Sequence, residues 1–555
     1  MKNYLLLIAC FFSFSCSKKT DPTLPSPPAG SFLISSIKAN DSIADRGNSF
    51  FNVDLNPVIK ISFSAPIDTA SVANNISLKN ISGSSIPFII SYKNKDSVFE
   101  LKPISSLQFL SKYILTLTAG LQSNQKIVLP KINVINIITA IDSSDKFPRI
   151  SDSALLTLIQ KQTFRYFWDF GHPVSGMARE RNTSGDVVTT GGTGFAVMSI
   201  IAAVNRNFIS RADGLQRINT IVSFLKDKCT RYHGAFSHWI NGATGATVPF
   251  SQKDNGADLV ETSFLMEGLL CARQYFNSIN SEETILRSNI NILWNGVEWN
   301  WFRNGGQNVL FWHWSPDFNF DINAQIKGWN EALVVYVLAA SANKDSIPRI
   351  VYNDGWASNG GMRNGGTFYG IQLPLGPDLG GPLFFSHYSF LGINPQDLTD
   401  AYANYFTQNT AQSLINYNYC VANPRHFNGY SSDVWGLTAS DDNLNFYSAH
   451  SPTNDDGVIS PTAAISSLPY TPEQSKNALR FFYYKLGDKL FKGYGFIDAF
   501  NLSDYWFADS FLAIDQGPQI VMIENYRTRL LWNLFTSCPE IKRGMKNLGF
   551  QSPHF

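Results

Sequence analysis

The chain has 555 residues, 44% hydrophobic and 14% aromatic, with 44 Lys and Arg against 43 Asp and Glu for a net charge of +1. That length exceeds what one core usually supports, so two or more domains are expected. A near-neutral balance without any basic run excludes the electrostatic footprint of a nucleic-acid binder.

At the N-terminus, Lys2 precedes the apolar run 4-YLLLIACFFSF-14, too short to span a bilayer and read as a secretory segment. It ends at Ser15-Cys16 before Ser17-Lys18-Lys19, which resembles a bacterial lipoprotein signal with Cys16 as the lipidated residue. Ser13 stands three before that cysteine, where Leu is usual. Residues 1–16 are thus expected to be a signal peptide and 17–30, with its Pro-rich TDPTLPSPPAG, a flexible tether. This predicts a cell-envelope protein, in the periplasm or on the outer membrane, attached through its lipid alone. Cys229, Cys271, Cys420 and Cys538 are widely spaced, with no CxxC or Cys/His ligand pattern, which argues against zinc. Any disulfide pairing among them stays open.

Residues 31–140 alternate as strands do in 58-VIKISFSAP-66, 76-ISLKNIS-82 and 113-YILTLTAGL-121. The run 88-FIISYKNKDSVFELKPI-104 reads as two strands about an Asn-Lys-Asp turn. Strands at this spacing predict a small β-sandwich, and the pattern resembles bacterial Ig-like domains. Residues 141–150 form a linker, after which the period turns helical. Ser151 or Ser153 can cap a helix through 154–170, and further helical runs cover 194–208, 212–229, 257–276, 282–302, 323–341, 398–420, 458–469, 471–491 and 516–535. Thr471 followed by Pro472 marks one start. Roughly a dozen helices without a short repeat predict an (α/α)6 barrel over 151–555, although periodicity alone allows another helical array. The loops 299–321, 352–366 and 430–442 gather Gly, Asn, Asp and Trp, the composition of a binding face.

The stretch 254-DNGADLVETSFLMEGLL-270 places Asp254, Asp258 and Glu261 at i, i+4 and i+7, on one arc of a helix apolar nearly all round. Like charges so spaced destabilise a helix, so an enclosed site is expected. Glu331 stands in the apolar helix start 328-GWNEALVVY-336, and further acids fall in 433-DVWGLTASDD-442, 454-NDDG-457 and 509-DSFLAIDQGPQIVMIENYR-527. Cleaving a glycosidic bond needs one protonated and one ionised carboxyl group, which burial and like-charge neighbours provide. Taken singly, each acid could instead cap a helix or pair with Arg179, Arg181, Arg273 or Arg527. No HExxH, Walker, GxSxG or Rossmann pattern is present, and the histidines form no metal-type pair in sequence.

The stretches 254-DNGADLVETSFLMEGLL-270, 328-GWNEA-332, 435-WGLTASD-441, 455-DDG-457, 495-GFIDAFN-501 and 515-DQGPQIVMIENYR-527 resemble the glucoamylase-like family that includes bacterial endo-β-1,2-glucanases and sophorose-releasing hydrolases. The resemblance covers roughly residues 151–550. It implies an (α/α)6 fold, hydrolysis of β-1,2-linked glucan with inversion, and no cofactor or metal. It puts the family's acidic triplet on Asp254, Asp258 and Glu261, and the general acid on Glu331. For the base, Asp515 comes first, with Asp509 and Glu524 behind it. Trp314, Trp329, Trp435, Asp441, Glu524, Tyr526 and Arg527 are the expected substrate-binding residues. A monomer whose partner is a β-glucan or its oligosaccharide is expected. A glycan-binding lipoprotein without catalysis and a hydrolase of another glucan linkage are the alternatives.

Overall fold

The computed structural model describes residues 30–555, so the expected signal segment with Cys16, and the tether up to Ala29, lie outside the described residues. The chain divides into two compact units, the first ending at Thr139 and the second starting at Ala140.

The first unit holds β1 (Ile34–Ala39), β2 (Ser49–Val53), β3 (Ile59–Phe63), β4 (Ile76–Asn80), β5 (Phe88–Lys93), β6 (Val98–Pro103), β7 (Lys112–Leu117) and β8 (Asn133–Thr139). They form two four-stranded sheets, ordered β1-β3-β6-β5 and β2-β8-β7-β4. Every ladder is antiparallel except β2 with β8. Alternation drives the burial. Ile59, Ile61 and Phe63 of β3 and Tyr113, Leu115 and Leu117 of β7 enter one shared core while the residues between them face outward. The β5–β6 hairpin turns on Asn94, Lys95 and Asp96, all at positive φ, as the Asn-Lys-Asp reading anticipates.

The second unit is helix-rich. Its helices are α1 (Asp152–Trp168), α2 (Thr190–Asn205), α3 (Arg211–Asp227), α4 (Leu259–Tyr275), α5 (Ser281–Gly296), α6 (Leu333–Ser341) and α7 (Arg349–Val351). There follow α8 (Tyr405–Ala422), α9 (Pro461–Ser466), α10 (Pro472–Tyr484), α11 (Gly487–Leu490), α12 (Ala513–Thr528), α13 (Leu530–Ser537) and α14 (Pro539–Leu548). Every residue of α6 and α9 is buried, and nearly every residue of α2 and α4, whereas α3, α5 and α10 bury only a stripe. Helices buried all round pack on one another, α2 against α4 and α12, and α12 against α9. The segment 141–150 packs on this unit, with Phe147 stacked on Tyr483 at 4.6 Å. Cys229, Cys271, Cys420 and Cys538 are all buried free thiols, so none of these four is in a disulfide. Among the described residues, no helix is long and apolar enough to cross a membrane.

Several helix limits differ from the periodicity. Residues 323–332 are a loop and tight turn, and α6 begins only at Leu333. The expected helix 516–535 begins at Ala513 and breaks at Arg529, whose φ of 59° ends α12 and starts α13. Ser151 caps α1 through Ala154 N–H, as expected, whereas Pro472 opens α10 without a side-chain cap from Thr471. α14 is not among the expected helices.

Two glycines set the α2–α4 distance. A Cβ on Gly268 would lie 2.2 Å from the Gly194 carbonyl oxygen, and one on Gly194 would lie 2.1 Å from that of Phe264. Backbone meets backbone there, and neither helix can yield by a rotamer change. Gly268→Ala is expected to destabilise the protein by about 1–3 kcal/mol, the cost of overpacking. Urea denaturation checks this, and an unchanged midpoint contradicts it.

Candidate active site

The acid-rich stretch is assembled differently from a helical face. Asp254 lies in a turn, hydrogen-bonding through its backbone with Ser251, and Asp258 ends the short strand β12 just before α4. After β9 (Val187–Thr189), β10 (Trp239–Asn241) and β11 (Thr247–Val248), the strand β12 (Ala257–Asp258) pairs with β13 (His313–Trp314). Asp258 is opposite His313 and Ala257 opposite Trp314. Of the three acids only Glu261 lies within the helix, so the single-arc expectation is corrected. Pairing and capping bring the groups together instead.

Asp258 is fully buried. Its Oδ1 accepts the N–H groups of Val260 and Glu261 at 3.0 and 2.9 Å, capping α4, and its Oδ2 lies 3.0 Å from His238 Nδ1 and 3.6 Å from His313 Nε2. Burial pushes its pKa up, but the His238 hydrogen bond, both imidazoles and the helix N–H groups outweigh it, and the carboxyl stays below the usual range. Its neighbours move the other way. Burial and the Asp258 charge push Asp254 up to about 6. Glu261 is raised by burial, although its Oε2 accepts from Gly191 N–H at 2.6 Å and Thr189 Oγ1 at 3.1 Å. Gly191 is required for that approach, since a Cβ there would sit 2.7 Å from Glu261 Oε2. Burial lowers the His238 pKa, but Glu261, Asp258 and Asp254 outweigh it and raise it to about 9, so this ring is cationic at neutral pH.

Glu331 sits in the turn before α6, half-buried. The Ser389 hydroxyl donates to its carbonyl and accepts from Val334 N–H at 2.9 Å, which anchors the turn. Burial, then the charges of Asp258 and Glu261, push its carboxyl up to about 7. Asp258 and Glu331, shifted in opposite directions, thus act on each other in one site.

A second carboxylate group is joined to the cavity wall through Arg181. Arg181 Nη1 donates to both oxygens of Asp441 at 3.1 Å, and Ser510 Oγ donates to Asp441 Oδ2 at 2.6 Å. Asp441 N–H in turn donates to Asp498 at 2.8 Å. Asp498 and Asp515 are both buried, and each acts on the other. Burial and the Asp441 charge raise Asp498 to about 7, and burial with the Asp498 charge raises Asp515 well above the carboxylate range. A cavity of about 290 Å³ touches both groups, lined by His238 and Glu261 on one side and Glu180, Arg181 and Tyr447 on the other. Hollows of about 800 and 940 Å³ on the outer helices have no buried carboxylate in their walls.

The remaining expected residues lie elsewhere. Trp329 donates its indole N–H to Gln412 inside the core, and Trp435 is wholly buried against Tyr417. Trp314 follows His313 along β13 and so faces away from the acids, against His233 and Tyr232. Glu524 is nine residues past Asp515 on α12 and is held by Arg206 at 2.7 Å and by Gln160. Arg527 bonds Thr157 and Gln160 of α1, while Tyr526 and Asp509 are exposed. For Trp329, Trp435, Glu524 and Arg527 the assignments are corrected: side chains that pack or pair between helices cannot reach the cavity. His238, His313, Arg181 and Asp498 are the site residues that sequence reasoning missed. Asp498 lies inside the quoted GFIDAFN stretch, whereas the histidines carry no local signal. His238, Asp254 and Asp258 each offer a ligand atom within 4.8 Å of one another, the one group among the described residues able to hold a metal. The cationic His238 ring would have to lose its proton first.

These features define a helix-rich unit with ionisable groups gathered around an enclosed cavity, preceded by a β-sandwich. The Glycoamylase family model matches residues 323–539, and that of the bacterial Ig-like domain matches residues 46–134. An endo-β-1,2-glucanase of Chitinophaga pinensis, solved with sophorotriose and glucose, is 49% identical, covering 73% of this chain and 100% of that one at a TM-score of 0.72. A β-1,2-glucanase structure of Parabacteroides distasonis is 37% identical, covering 95% of this chain and 74% of that one at a TM-score of 0.70. An exo-β-1,2-glucooligosaccharide sophorohydrolase of the same species is 46% identical over 428 residues, 73% of this chain. The chain spans 59% of the length of that curated relative. The chain belongs to the glucoamylase-like family.

Replacing Asp258 by Asn removes the charge nearest His238 and leaves a side chain able to cap α4. The His238 pKa is then expected to fall from about 9 toward the ordinary histidine value. An NMR titration of the ring reads this directly, and an unchanged value contradicts the pairing.

Proposed function

We propose that the chain is a glycoside hydrolase that cleaves β-1,2-linked glucan or its oligosaccharides. The observation that carries this is the opposed shift of Asp258 and Glu331, whose neighbours His238 and Glu261 line a cavity, and the named activities of the relatives supply the linkage. Glu331, holding its proton up to about pH 7, donates it to the leaving oxygen as the bond from the anomeric carbon to that oxygen breaks. A water attacks the opposite face of that carbon, forming the new C–O bond, and passes its proton to the Asp441–Asp498–Asp515 group. The result is inversion. Asp258 stays ionised throughout and, with cationic His238, fixes the field in which Glu331 keeps its proton. Asp254 and Glu261 hold the pair in place and meet the sugar hydroxyls.

Helices α2, α4, α6, α9 and α12, buried nearly all round, alternate with the half-buried α1, α3, α5, α8 and α10, which supports an (α/α)6 barrel. The Ig-like unit over 31–140 serves as a spacer. The lipoprotein reading of residues 1–16, with Cys16 as anchor, places a monomeric enzyme in the cell envelope, its soluble body working without cofactor or metal.

Purified protein is expected to release sophorose or short β-1,2-oligosaccharides, and a screen of α- and β-glucans tests the linkage. Glu331→Gln is expected to lower kcat about 10²–10⁴-fold, as loss of a general acid does. Because the active form is the protonated one, wild-type kcat/KM falls as pH rises through about 7, and that limb disappears from the residual rate of Glu331→Gln. A mutant at wild-type rate, or a wild-type profile flat from pH 6 to 9, contradicts the assignment.

A further inference from the structure

Tyr388 belongs to no motif singled out above, yet its position is built with care. It opens the short turn Tyr388–Phe390, only 6% of its surface is exposed, and its hydroxyl makes no hydrogen bond among the described residues. The ring is packed from three sides, with centroids 5.4 Å from Phe195 of α2, 5.6 Å from Phe264 of α4 and 5.3 Å from Phe384. Phe264 lies one helical turn beyond Glu261, and the next residue, Ser389, is the one that anchors the Glu331 turn. The charges of Asp515, Glu331 and Glu261 all act on the phenol, so it lies within reach of both carboxylate groups. Burial and those charges also keep it protonated far above neutral pH.

The segment is held from behind. Trp532 Nε1 donates to Phe390 O at 2.7 Å, Asn525 Nδ2 to Leu391 O at 2.9 Å, and Gly392 N–H to Glu267 at 2.8 Å. Glu267 is itself buried, and burial raises its pKa well above the carboxylate range. Three bonds to a six-residue stretch fix the Tyr388 ring in a single place. The phenol oxygen is not sealed away from solvent, so a ligand oxygen can reach it. Carboxyls are among the groups whose charge acts on the phenol, and a sugar oxygen placed among carboxylates needs a donor.

We propose that Tyr388 is a substrate-binding residue, its hydroxyl donating a hydrogen bond to an oxygen of the glucose unit held between the two carboxylate groups. This rests on the hydrolase reading above. Packing alone would be served equally by phenylalanine, so Tyr388→Phe separates the two roles. The variant is expected to unfold at the wild-type temperature, to lose about 10- to 100-fold in kcat/KM on β-1,2-glucan, and to bind sophorotriose correspondingly more weakly in a calorimetric titration. Wild-type values of both kcat/KM and sophorotriose affinity in a stably folded Tyr388→Phe overturn the proposal. A wild-type protein that releases nothing from β-1,2-glucan would instead overturn the linkage reading. The same comparison on whichever glucan of the screen it does hydrolyse then decides the role of Tyr388.

Discussion

Asp258 has no surface in contact with water, and everything else in the site follows from how its charge is stabilised there. An isolated carboxylate so placed would take up a proton, since burial disfavours the charged form. Here the start of α4 supplies two N–H groups, and the cationic His238 ring hydrogen-bonds to Asp258 while His313 lies 3.6 Å away. The anion that results is a fixed electrostatic source. It raises the pKa values of Asp254, Glu261 and Glu331 around it and holds His238 protonated. One ionised group thereby stands near Glu331, whose carboxyl is pushed up to about 7, and acid-assisted bond cleavage needs such a contrast.

The fold serves this arrangement by allowing backbone to come close. Gly191 admits the Glu261 carboxylate to the first turn of α2, and the glycines at the α2–α4 crossing bring the two inner helices together. The strand pair β12–β13, only two residues long on each side, sets His313 opposite Asp258 and turns Trp314 outward. On the far side, the hydrogen bonds from Trp532 and Asn525 hold the 388–393 segment, and through Ser389 that segment holds Glu331. Pre-organisation here is a property of several short irregular pieces, each fixed by a buried partner, rather than of the long helices themselves.

Much of this was legible in the sequence, and the limits have physical causes. Strands of the first unit and most helices of the second could be read because their burial follows periods of 2 and 3.6, as in β3, β7 and α3. The acids that act on one another in the structure were visible too, since Asp254, Asp258, Glu261 and Glu331 are acids in apolar company. Their arrangement was not. Helical spacing suggested one arc for residues that a turn, a strand end and a helix start in fact supply. His238 and His313 stand 20 residues before and 55 residues after Asp258, and only tertiary pairing joins them. The tryptophans misled for a related reason: a large ring is as useful to a helical core as to a sugar subsite, and Trp329 and Trp435 fill the core. Glu524 and Arg527 share a motif with Asp515, but about two and a half to three helical turns separate them from it.

The central claim is that the pKa of one buried carboxyl is held down while those of its neighbours are pushed up. A ¹³C NMR titration of the side-chain carboxyl carbons, assigned through Asp→Asn and Glu→Gln variants, measures this group by group. Asp258 should remain ionised below the ordinary aspartate range, with Asp254 titrating near 6 and Glu331 near 7. Asp258, Asp254 and Glu331 all titrating together near pH 4 would contradict the account.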